Sequence, residues 1–170
     1  MKKLLSWLLL FAMLLGTFST FAVAASADTP AKIQISVKAN NPNVKITSDT
    51  GDVSKLNDGD FNNNNNLWDG GATPATFVMD LGGYFVITDF GAKCFIDDSR
   101  WYQYEIYTST DGENWQLSSE KKDEAVSDFG GKWHTPKTGT TKARYVKFVM
   151  TSSSVGSAHL REFQVFGYED

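Results

Sequence analysis

Alternation with a period of two runs through most of this chain and leaves almost no stretch free to form a helix. Phe77, Met79 and Leu81 alternate with Thr76, Val78 and Asp80. Tyr102, Tyr104 and Ile106 alternate with Gln103, Glu105 and Tyr107. Tyr145, Lys147 and Val149 alternate with Val146, Phe148 and Met150, and Phe163 and Val165 continue the theme with Phe166 on the other face. Successive side chains of a strand point to opposite faces, so these runs predict half-buried strands. Gly82-Gly83, Asp111-Gly112, Gly130-Gly131 and Thr135-Pro136 punctuate them. Thr110 to Asn114 supplies a tight reversal with Gly112 at positive φ, and Trp115 follows where it would cap one end of a core. Short strands without crossover helices predict an all-β antiparallel sandwich, with terminal strands near 33–37 and 162–166.

The N-terminus reads differently. Lys2 and Lys3 precede an almost wholly apolar run from Leu4 to Leu15, and Ala25-Ser26-Ala27 offers small residues for a signal peptidase. Residues 1–27 are therefore expected to be a secretory signal peptide, with residues 28–170 as a single secreted, extracellular domain. Removing the two lysines takes the formal charge from −4 to −6. An acidic chain is a poor partner for a phosphate backbone, so nucleic acid is not expected as a ligand. Cys94 is the only cysteine, which excludes an internal disulfide, and its strand setting predicts a small buried hydrophobe.

No hydrolase elbow, phosphate-binding loop or Cys-His pair is present, and two histidines are too few for a zinc centre. Adjacent acids such as Asp97/Asp98 or Asp58/Asp60 are not a glycosidase pair, which needs carboxyl groups facing across a cleft. A non-catalytic domain is expected. The loops lack apolar spikes set among basic residues, so membrane insertion is not expected either.

Four stretches carry a resemblance. They are Leu56-Asn57-Asp58-Gly59-Asp60 with Trp68; Phe77-Val78-Met79-Asp80-Leu81-Gly82; Tyr104 through Trp115, with its Ser-Thr-Asp-Gly turn; and the pair Ala143 to Phe148 and Leu160 to Gly167. In this order and spacing they frame about 33–167, and the chain resembles the discoidin or coagulation-factor C-terminal-type domain of the galactose-binding-like fold. It looks most similar to the bacterial carbohydrate-binding modules of that group. The resemblance implies an antiparallel jelly roll whose loops bind ligand at one end, a core position for Trp68, and structural pairing for Arg144 and Arg161. It also implies a structural Ca²⁺ held by the Asp58 and Glu162 carboxylates, the Asp60 carbonyl and the Asn66 side chain. The chemistry is coherent, because calcium takes six to eight hard oxygens and a glycine between two aspartates lets carbonyls converge. Here seven residues separate Asp60 from Trp68 where relatives commonly have about four, and the surplus falls in the asparagine run 62–66. Asn65 or a backbone carbonyl is the alternative to Asn66, and the run is either a passive insertion or part of a sugar pocket.

Sugar recognition needs an aromatic face and planar polar groups. Phe61 with Asn63, Asn64 and Asn65 offers both, Phe61 being alternatively an inward anchor. Arg100 and Trp101, after Asp97-Asp98-Ser99, offer both again, the alternative being a surface salt bridge and a core-edge tryptophan. His134 beside Trp133 is a further candidate, exposed or covering a sandwich edge. Ser152 to Ser157 with His159 forms a third loop region, with Val155 as its sizeable apolar residue. The expected function is a monomeric module binding a glycan or cell-surface polysaccharide; the alternative is an adhesion or protein-interaction domain on the same fold.

Overall fold

The computed structural model describes residues 30–97, 99–127 and 131–170. The expected signal peptide at 1–27 lies outside the described residues, as do Asp98 and Gly130. Nine strands follow in order: β1 (Ile33–Gln34), β2 (Lys45–Ser48), β3 (Trp68–Ala72), β4 (Ala75–Cys94), β5 (Tyr102–Ser109), β6 (Gln116–Lys121), β7 (Lys132–His134), β8 (Thr141–Ser153) and β9 (Ser157–Glu169), with one 3₁₀ turn at Val53–Leu56. All their pairings are antiparallel.

The 20-residue β4 serves both layers. Its first part pairs with β2 and β8, and β8 leads on to β5 and β6. Its second part pairs with β9 and β7, and β9 also carries β1 and β3. The switch falls where the register shifts between Asp80 and Phe85. Gly82 sits there at φ 75°, and a Cβ on it would come within 2.5 Å of the Asn43 Cβ. Asp80 fastens the bend: its carboxylate accepts two 2.9 Å bonds from the Arg144 fork and one of 2.8 Å from Gly82 N. The Arg144 hydrogen bonds hold the Asp80 carboxyl below the usual carboxylate range.

The alternating residues meet between the layers. Phe77 stacks on Phe148 at 5.2 Å and meets Phe163 of the opposite layer edge-on at 5.4 Å. Trp68 is fully buried against Phe77 and donates its indole N–H to Thr50 O at 2.8 Å. Each such ring contributes roughly 2–3 kcal/mol of burial. Cys94 is buried as the pattern implied, and burial pushes its thiol up to about 12. Trp115 departs from expectation. It does not cap the core but packs half-buried on the outer face, where the Lys147 ammonium lies 4.4 Å above its ring and 4.9 Å above Tyr107. The reason is strand parity: Val146 and Phe148 take the core side of β8, so Lys147 and its neighbours face out.

Candidate functional site

The loops 57–67 and 95–101, the β8–β9 turn and the start of β9 gather at one end of the sandwich. Asn64 ties two of them together. Its side-chain amide donates to Ile96 O at 2.6 Å and accepts from Ile96 N at 3.1 Å, as a paired strand residue would. From beneath, the fully buried Arg161 donates to Cys94 O at 2.8 Å and to Phe61 O. The asparagine run is thus fixed at its middle, with Asn63 and Asn65 exposed and bonded locally: Asn65 N donates to Asn63 Oδ1 at 2.9 Å, and Asn66 N to Asn63 O at 3.0 Å. Phe61 takes the anchoring alternative. Its ring is half-buried, with the Lys93 ammonium 4.2 Å above it.

Two corners follow from this bracing. The closed corner forms around Glu162, which has no exposed surface. Gly59 N donates to Glu162 Oε2 at 3.3 Å, while Glu162 Oε1 has no hydrogen-bond partner among the described residues. Burial pushes this carboxyl up to about 8, although Lys93, its register partner on β4, pulls the other way. Asp58 completes the turn: Oδ1 accepts from Asp60 N at 2.9 Å and Oδ2 from the Asn66 amide at 2.8 Å. The same amide reaches Asp60 O at 3.2 Å. Gly59 holds φ 85°, which the convergence of these groups requires. No group of three or more His, Cys, Asp or Glu side chains forms a ready-made metal cluster among the described residues.

The open corner forms around Phe95. The Arg100 guanidinium stacks 4.4 Å above that ring and is aimed by Asp97, whose Oδ2 lies 2.6 Å from Nε. His159 lies 6.0 Å from Phe95, ring to ring, with its side chain 18% exposed. Its two nitrogens are only loosely engaged, Nδ1 at 3.5 Å from Tyr102 OH and Nε2 at 3.7 Å from Asp69 Oδ1. Burial lowers the His159 pKa; Asp69 pulls it back up, and Arg100 lowers it further. The imidazole is accordingly neutral near pH 7. Asp69 and His159 are neighbours because they are register partners of β3 and β9. Trp101 borders the corner, half-buried, its backbone paired with Ser154 through a 3.1 Å bond to its carbonyl and a 3.3 Å bond from its N–H.

His134 is a correction. It is the inward residue of the short β7, 8% exposed, with Nε2 2.7 Å from Tyr104 OH. Burial lowers it to about 4. Trp133, one residue earlier, faces out instead. Phe95 and Asp69 were not singled out from the sequence, and His159 only as part of a serine loop. The available signal was a histidine at an outward parity of a strand, between buried Ala158 and Leu160.

A family model for the F5/8 type C domain matches residues 22–163. No curated protein matches the chain. Among solved structures, the family 89 glycoside hydrolase of Clostridium perfringens in complex with GlcNAc-α-1,4-galactose is similar at 25% identity and TM-score 0.65, over 81% of this chain and 15% of that one. The chain therefore spans about 15% of that enzyme's length. The CBM32-5 module of the same enzyme, in complex with GalNAc-β-1,3-galactose, is similar at 24% identity and TM-score 0.60, over 74% of this chain and 96% of the module. The family 32 carbohydrate-binding module of Clostridium perfringens NanJ, in complex with galactose, is similar at 17% identity and TM-score 0.62, over 80% and 99%. The likeness falls on non-catalytic modules rather than on catalytic domains.

Proposed function

Because the chain belongs to the F5/8 type C domain family, we propose that it is a non-catalytic carbohydrate-binding module whose open corner recognises the exposed end of a galactose-type glycan. The observation that carries this reading is the Arg100 guanidinium held over Phe95 by Asp97, beside a partly exposed, loosely bonded His159. Arg100 supplies forked donors to vicinal hydroxyls. His159 offers a donor on one nitrogen and an acceptor on the other, and Asp69, with its side chain 65% exposed, offers a carboxylate. Asn63, Asn65 and Trp101 form the rim; Asn64 positions it through Ile96. Two of the modules it resembles were solved with galactose-containing ligands, and another with 4,5-unsaturated mannuronic acid.

Calcium at the closed corner is the second part of the proposal. The donor set fits a hard cation: the buried Glu162 carboxyl, with one orphaned oxygen, faces a turn built from Asp58 and the Asp60 carbonyl, and a bound cation would hold it as the carboxylate. An unpaired buried acceptor costs about 1–3 kcal/mol, more when charged, so positive charge there would relieve a standing penalty. Turning the Asn66 amide over would present its oxygen in place of the nitrogen. Asp58, Asp60, Asn66 and Glu162 would hold the ion, and a bound ion would join the loop to β9. Export through the apolar leader would place the module outside the cell. Among the described residues no helix is long and apolar enough to cross a membrane.

A glycan-array screen run with calcium and again with EDTA tests both parts. Binding to galactose-terminated glycans that disappears in Arg100→Ala and His159→Ala supports the open corner. A folded protein that binds none of them, or whose binding ignores both substitutions, overturns it and favours an adhesion role on the same fold.

A further inference from the structure

The outer face of the layer formed by β9, β4 and β7 carries a second aromatic feature. β7 pairs with β4 through Phe90↔His134, Gly91↔Trp133 and Ala92↔Lys132. Trp133 is 52% exposed, and its indole lies across Gly91. A Cβ at Gly91 would come within 3.1 Å of the indole Cζ3 and 3.0 Å of Gln164 Oε1. The backbone of Gly91 is extended and does not need glycine for its φ. The missing side chain instead lets ring and amide rest side by side on bare strand. Phe166 lies 5.5 Å from the indole, and Lys32, ion-paired with Asp89, lies 5.5 Å above Phe166. Lys93 sits 5.7 Å from the indole on the way to Phe61.

We propose that this strip is a second carbohydrate site, taking the flat face of pyranose units within a neutral polysaccharide chain. A rigid, half-exposed indole offers a plane for sugar C–H faces. Asp89 supplies an acceptor and Lys32 a donor at its edge. The exposed ammonium of Lys32 is matched by the carboxylate of Asp89, so the strip presents opposite charges in a pair and suits an uncharged ligand. Trp133 is 52% exposed on a sheet face rather than set among loops, an arrangement that suits units within a chain. Two sites on one domain gain avidity on a polymer even when each is weak. The platform does not depend on the reading of the open corner.

Native affinity electrophoresis tests it, with galactomannan, pectic galactan, xyloglucan and laminarin as neutral polymers and alginate and polygalacturonate as acidic ones. The expected result is retardation by at least one neutral polymer, weakened about tenfold by Trp133→Ala and also by Gly91→Ala, with Trp133→Phe keeping part of it. Melting temperatures of the two Trp133 variants should match the parent, because the indole is a surface group, and these two variants carry the test if Gly91→Ala lowers stability. Arg100→Ala should keep this retardation while losing galactose-type disaccharides, so the two sites fail separately. Retardation by acidic polymers only, by none, or unchanged in Trp133→Ala would overturn the proposal. A dimer in sedimentation that Trp133→Ala dissolves would overturn it too, by giving the face to a second copy.

Discussion

The closed and open corners are built from the same loops and the same kinds of residue, yet they hold their polar groups in opposite ways. At the closed corner Glu162 has no exposed surface and one oxygen without a partner. At the open corner Arg100 is aligned by Asp97, and the partly exposed His159 keeps two weakly used nitrogens. The first arrangement carries a standing cost that a cation can remove. The second has already ordered its donors and leaves them free for a ligand. Burial decides between a group that stabilises the fold and a group that meets a partner, more than residue type does.

The largest expected effect breaks the closed corner. Calcium at about 1,000 times its Kd should stabilise the domain by about 4 kcal/mol, which corresponds to a rise in Tm on the order of 10 °C. Differential scanning fluorimetry with calcium and with EDTA measures it, and Glu162→Gln or Asp58→Ala should erase the difference. Identical melting in both conditions would leave the corner as a turn with a costly acid.

The two histidines sharpen the contrast through pH. His134 titrates near 4 in the folded protein because it is buried against Tyr104. The unfolded chain takes up that proton at about 6.5, so stability is complete above 6.5 and is lost as pH falls toward 4. The loss is at most about 3 kcal/mol. Chemical denaturation across this range should show it, and His134→Gln should flatten that part of the profile.

A smaller effect is expected at the open corner. Arg100→Ala removes charge-assisted bonds of about 1.5–3 kcal/mol, so calorimetric titration with a galactose-type disaccharide should weaken at least about tenfold. Its folding stability should stay within about half a kcal/mol of the parent. The smallest effect is that of His159 on binding. Its lowered pKa favours the neutral imidazole in neutral solution, so affinity should hold there and decline as acid places a new cation beside Arg100.

Much of this architecture was readable residue by residue. Phe77, Met79 and Leu81 and Tyr102, Tyr104 and Ile106 fall inward as their alternation implied. Asp80-Leu81-Gly82 marks the place where β4 changes layer. The open corner was less legible, because it depends on pairing across long separations. Asp69 meets His159 through the β3–β9 register, and Phe95 meets Arg100 only after the loop folds back. Local pattern carries no signal for either contact. His134 was hard to place for another reason: a three-residue strand contains too little alternation to reveal its inward face. Trp115 was misplaced because a turn fixes where a chain reverses but not which face the next residue takes.

The most direct measurement is a ¹H–¹⁵N titration of the calcium-loaded protein with GalNAc-β-1,3-galactose. The account expects saturable shifts at the backbone amides of Phe95, Arg100 and His159 and in the Asp69 turn, with the Glu162 and Trp133 amides still. Shifts centred elsewhere, or a spectrum unchanged at millimolar disaccharide, would contradict the assignment of the open corner as the glycan site.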